Sequence, residues 1–243
     1  CHVISKVHAA SGNQEDIAMD NKLKELLKKD YVILDGEMIK NLPRKIAAST
    51  GIDAMAHAIE CFTSKKANPI SDTFALRALE MIMMNLEAAC GEPADLHARE
   101  QILLASFYAG VAITASGTTA VHALSYPLGG KYHIPHGVSN AIMLAPVMRF
   151  NEPDCRELLA AAYDRIADDG AAMTEEEKSG NLIKKLCRMV EVLEIPASLS
   201  VYGVSRDDLD VLVDAGMQVQ RLLVNNRRTV TEEDARKLYL EVL

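Results

Sequence analysis

Residues 101–130 read QILLASFYAGVAITASGTTAVHALSYPLGG, a run without a single Asp, Glu, Lys or Arg. An uncharged run of that length belongs either to a protein core or to a membrane. Length alone would allow a span. However, Ser, Thr, Gly, His and Pro crowd the second half, so nothing sustains about 20 predominantly apolar residues. The stretch is therefore expected to be a buried central helix running into a buried polar site, and no membrane partner is expected.

On either side of it the pattern is helical. Ser49 and Thr50 are expected to cap a helix beginning near Ile52 and burying Met55, Ile59 and Phe62. Ser71 precedes a second, with Phe74, Ala78, Met81 and Ile82 on one face and the methionines from Met81 to Met84 filling core. Further helices are expected near 95–115, 138–149, 153–168, 174–193, 205–222 and 231–242, with breaks at Pro153, Gly170, Pro196, Gly203 and Thr229. Only the start differs. CHVIS (1–5) and YVILD (31–35) are short β-branched runs separated by NKLKELLKK (21–29), a polar helix candidate, so residues 1–45 read as the edge of something else. The fold class is mainly α.

The formal charge of −8 argues against a nucleic-acid partner, because phosphate binding needs a basic footprint. Five scattered cysteines without a C-x-x-C pair are expected to be reduced thiols of a cytoplasmic protein. No basic n-region with an apolar stretch marks the first residues as a secretory signal, and the missing Met start suggests a fragment.

Asp53 and His57 stand four apart in GIDAMAHAIE, one turn apart on one helix face, a spacing that suits chelation but is common by chance. His122 lies inside the uncharged run, where an imidazole must find a partner. His136, between Pro135 and Gly137, is expected at a loop-to-helix junction, with Gly129, Gly130 and Gly137 permitting tight turns. A loop carrying His136 could then fold back onto the helix bearing His122. One carboxylate and three imidazoles would suit Fe²⁺ or Zn²⁺, with room for an exogenous oxygen ligand. The plainer alternative is four separate polar residues satisfied by backbone. His2, His8, His97 and His133 are read in that way, and a His133–His136 ligand pair ranks below His122 with His136.

STGIDAMAHAIECFTSKKANPISD (49–72), VHALSYPLGGKYHIPHGVSNAIMLAPVMRFN (121–151) and LLVNNRRTVTEEDARKLY (222–239) together resemble the iron-dependent, or group III, alcohol dehydrogenases, in the family's order and spacing. The resemblance implies a metal, Fe²⁺ or Zn²⁺, on Asp53, His57, His122 and His136. It also implies a helical C-terminal domain of the dehydroquinate synthase-like, iron alcohol dehydrogenase fold. On this reading residues 1–45 are the remnant or edge of an α/β dinucleotide-binding domain, and 46–243 are an all-α metal-binding catalytic domain.

The family's G-G-G-S turn and T-T-x-G-T-G-S-E segment have no counterpart here. NAD or NADP is therefore expected from an N-terminal domain that this chain lacks, and no cofactor-binding residue is assigned. Tyr126 stands where many members carry another histidine and is the candidate catalytic residue, as proton relay or as packing. HALSYP and QRLLVNN are similar to 4-hydroxybutyrate dehydrogenases. The expected reaction is hydride transfer between a small alcohol or aldehyde and NAD(P), in a homo-oligomer. The rivals are a non-catalytic interaction or dimerisation module and a metal-dependent hydrolase; the chain has neither the His-Asp dipeptide nor the E-x-x-H that the second would use.

Overall fold

The computed structural model describes residues 32–243. A 3-10 turn, Gly36–Ile39, leads into α1 (Arg44–Thr63), α2 (Pro69–Ala89), α3 (Leu96–Ser116), α4 (Ala120–Tyr132), α5 (His136–Ile166) and α6 (Glu175–Val192). Short 3-10 turns then precede α7 (Leu209–Met217), α8 (Gln220–Leu223) and α9 (Glu232–Val242). No strand occurs among the described residues. Val32–Asp35, expected to extend, carry no regular structure, and Val32 and Ile33 are exposed with no strand to pair with among the described residues. The CHVIS and NKLKELLKK segments lie outside the described residues.

α1 is the axis of the core and packs against α2, α3 and α5. Its Ile52, Met55 and Ile59 are fully buried, as their spacing predicts. The helix starts eight residues earlier than expected, after Pro43. Ser49 and Thr50 do not cap it, because their hydroxyls donate back to the Ile46 carbonyl, at 3.2 and 2.8 Å, from inside the helix. α2 is capped by Asn68, whose side chain accepts from the Ser71 backbone N–H while the Ser71 hydroxyl accepts from the Asn68 N–H. Met81 fills core, whereas Met84, about 60° further round the helix, is exposed at the edge of the buried face.

The uncharged run divides at Gly117, whose φ of 74° belongs to the left-handed region that glycine tolerates. Here the chain bends by 108° between α3 and α4. No single helix among the described residues is long and apolar enough to cross a membrane. α4 is buried as expected from Ala120 to Ser125. α3 is less central than expected: its alanines at 98, 105, 109 and 112 are buried while Ile102, Leu103 and Phe107 stay half-buried. Small residues let α3 approach α2 closely, which leaves its larger side chains outside.

Gly129 and Gly130 form no turn; they lie inside α4 together with Pro127. The turn comes at His133, which ends α4 with φ 55°, and Pro135 then starts α5 at His136. The helices expected at 138–149 and 153–168 are one, with Pro153 inside it. Near this proline the Phe150 carbonyl accepts from Arg228 Nη1 at 2.7 Å, and the Asn151 and Asn226 side chains hydrogen-bond each other, so outside partners compensate for the interruption. The single helix expected at 205–222 is instead split, because Val219 leaves the helical region and the Gln220 side chain donates to the Met217 carbonyl at 2.7 Å. α6 and α9 match expectation, each opened by a threonine capping box, at Thr174 and Thr231.

Candidate metal centre

Three helices converge on one point. α1 presents Asp53 and His57 one turn apart, α4 presents His122 in its first turn, and α5 presents His136 as its first residue. Gly137 sets the last position, since its backbone lies so close to α1 that a Cβ would stand 2.0 Å from the Ser49 carbonyl oxygen. Only glycine allows α5 to begin there.

Each of Asp53, His57, His122 and His136 offers one ligand atom, and these atoms lie within 4.8 Å of one another. From Asp53 Oδ1 the Nε2 atoms of His136, His122 and His57 are 3.5, 3.6 and 4.0 Å away. Ligands about 2.1 Å from a shared tetrahedral ion stand about 3.4 Å apart, so the donor set and its spacing fit a divalent cation. The plainer alternative of four separately satisfied polar residues does not describe this convergence. His57 and His122 stack with ring centroids 4.4 Å apart, and His122 meets His136 edge-on at 5.3 Å.

The electrostatics follow from burial and charge. Burial pushes the His57 imidazole down to about 4, with the neighbouring His122 adding to the effect, so His57 is neutral and able to donate a lone pair at neutral pH. Burial would also lower His122, but the Glu60 carboxylate and hydrogen bonds to Asp53 and Glu60 override it and raise the group to about 9. Asp53 lies well below the ordinary carboxylate range: burial opposes ionisation, yet the hydrogen bond from His122 and the three imidazoles outweigh it.

Two residues that the motif reading passed over belong to this site. Glu60, fully buried on α1, pairs its Oε2 with His122 Nδ1. Asn140 on α5 donates its Nδ2 to Asp53 Oδ1 at 2.5 Å and lies 3.1 and 3.2 Å from the Nε2 atoms of His122 and His136, while Ser125 donates to its Oδ1. A carboxylate in the otherwise apolar AIECF run was a signal for Glu60, because such a group needs partners. For Asn140 the only signal was its place one turn after His136.

Tyr126 stacks on His136 with centroids 5.7 Å apart and meets His122 edge-on at 6.2 Å, and the Arg221 guanidinium lies over the Tyr126 ring, 5.5 Å from its centre. His133 and His97 are exposed and stand outside the cluster, as expected; His2 and His8 lie outside the described residues. Cys61, Cys90, Cys155 and Cys187 are free thiols.

Residues 47–243 match the family model described as Fe-containing alcohol dehydrogenase family, C-terminal. Long-chain-alcohol dehydrogenase 1 of Geobacillus thermodenitrificans is 34% identical over 210 residues, 86% of this chain and 53% of that protein. The 4-hydroxybutyrate dehydrogenase of Clostridium kluyveri is 31% identical over 213 residues, 86% of this chain and 56% of its own length. A crystal structure of 1,3-propanediol oxidoreductase superposes with a TM-score of 0.83 at 29% identity, covering 86% of this chain and 55% of that one. The chain thus spans about half the length of the relatives it matches.

Proposed function

The chain belongs to the Fe-containing alcohol dehydrogenase family, and on that premise we propose that residues 46–243 form the metal-binding catalytic domain of an NAD(P)-dependent alcohol dehydrogenase. The observation that carries this is the convergence of Asp53, His57, His122 and His136 from three helices. Together they would hold Fe²⁺ or Zn²⁺. When bound, such an ion supplies a Lewis acid that polarises an alcohol or aldehyde oxygen.

The chain's own residues do the rest. His57 is held neutral and Asp53 ionised, so the site offers both a lone pair and a compensating negative charge without first shedding a proton from either. Asn140 orients the Asp53 carboxylate, and Ser125 orients Asn140. Tyr126, stacked on His136, is the residue this reading assigns to the substrate side, as proton relay or as packing. A nicotinamide cofactor would supply the hydride acceptor for the carbinol carbon in the oxidative direction, with the hydroxyl proton released and an aldehyde as product. A small alcohol in a cytoplasmic homo-oligomer is the substrate and setting this reading favours.

Reconstituted anaerobically with Fe²⁺, the chain is expected to retain about one ion. In a protein joining these residues to a nucleotide-binding domain, primary alcohols are expected to reduce NAD or NADP, and Asp53→Ala to abolish that turnover with helical content intact. Turnover undiminished in Asp53→Ala would overturn the reading.

A further inference from the structure

Glu60 is a fully buried carboxylate for which the proposed chemistry has no direct use. Its oxygens have separate tasks. Oε1 accepts from the backbone N–H of Thr119 at 3.0 Å, of Val121 at 2.8 Å and of His122 at 3.4 Å, and from the Thr119 hydroxyl at 2.8 Å. Those N–H groups are the open donors at the start of α4, and Thr119, the residue in the capping position, makes no side-chain cap bond of its own. Glu60 therefore caps α4 from another helix. Oε2 pairs with Nδ1 of His122, the residue two positions further along the same first turn.

From this juxtaposition we propose that Glu60 is a positioning residue that sets both the place and the tautomer of His122. An ionised carboxylate only accepts hydrogen bonds, so Nδ1 keeps its proton toward Glu60, and it is Nε2, on the Asp53 side, that gives up its proton to offer a lone pair when a metal binds. Glu60 lies three residues after His57 on α1. A single helix thus carries two of the converging side chains and fixes a third through the carboxylate. Metal-ligating histidines commonly depend on such a partner, and its loss typically costs 10–100-fold in affinity.

Glu60→Gln separates the two tasks. Its Oε1 can still accept from the α4 backbone, but its Nε2 presents a donor where the carboxylate presented an acceptor, which forces His122 to protonate Nε2 instead. The inference rests on reading the cluster as a metal site, so Zn²⁺ affinity is measured by chelator competition in wild type and variant, alongside helical content and urea midpoint. Nitrogen-15 spectra of the Zn²⁺-loaded wild type provide a reading that does not depend on the variant folding.

The expected result is Zn²⁺ affinity lower by about 10–100-fold in Glu60→Gln with helical content retained, and a His122 that keeps its Nδ1 proton in the loaded wild type. Equal affinity in a wild type that binds Zn²⁺, or a His122 without that proton, overturns the assignment of Glu60 alone. A wild type that binds no Zn²⁺ overturns it together with the metal-site reading.

Discussion

Among the described residues Arg99 and the cluster around Asp53 both bury charge, and the two are built on opposite terms. At one end Arg99 of α3 is buried, and its guanidinium donates to the carbonyls of Ala89 at 3.1 Å, Ile39 at 2.6 Å and Leu42 at 2.8 Å, and to that of Lys40. Every one of these bonds ends on backbone. They tie the 3-10 turn and the end of α2 to α3, and no side chain is left to do chemistry. Around Asp53 the polar groups instead face one another, with three Nε2 atoms and a carboxylate oxygen crowded on one point. A buried polar group that closes its bonds on backbone holds the fold, whereas donor atoms of side chains gathered within 4.8 Å of one another are placed where a single ion can be shared.

That contrast can be broken by experiment. Arg99→Met leaves four carbonyls without their donor and is expected to cost about 3–5 kcal/mol in urea denaturation while metal content per folded chain stays unchanged. A loss of metal in that variant would mean the two regions are not independent. Gly137→Ala strikes where backbone and site meet. The added Cβ collides with the Ser49 carbonyl, so a loss of about 2 kcal/mol in stability is expected together with reduced metal occupancy. Full occupancy would show that the start of α5 does not set His136.

The regions should also differ in pH response. In the metal-free chain His57 is pushed down, so its contribution is lost as pH falls from 6.5 through about 4, and Glu60 and Asp53 are held low, so theirs are lost only below their ordinary values of 4.5 and 3.8. His122 is raised from 6.5 to about 9, so its contribution is full below 6.5 and lost as pH rises through about 9. Urea midpoints are therefore expected to peak near pH 6.5 and fall on both sides, whereas Arg99 does not titrate in this range. A flat profile would contradict the electrostatics described for the cluster. The smallest effect is expected at His133, whose φ of 55° suits glycine better. His133→Gly should stabilise by about 0.5–1 kcal/mol with no change in metal content, and a loss of metal would return His133 to the ligand set.

Much of this was legible in the sequence, for reasons that differ by residue. Asp53 and His57 could be paired because helical spacing alone puts i and i+4 on one face, and α6 and α9 fall where helices were expected between the breaks. His122 was singled out because an imidazole in an uncharged run needs a partner, but the identity of that partner, Glu60, depends on how α4 crosses α1. Pro153 and the glycines of α4 misled for the opposite reason: their local preference for breaks is overridden in the folded chain, and near Pro153 the neighbours Arg228 and Asn226 are ones that sequence proximity does not reveal.

The most direct measurement is metal content by mass spectrometry on the purified, reconstituted chain beside its His122→Ala and His136→Ala variants. About one iron or zinc ion per chain, lost in both variants while helical content persists, is the predicted result. No metal in wild type, or metal retained in both variants, would contradict the claim that these helices converge to hold an ion.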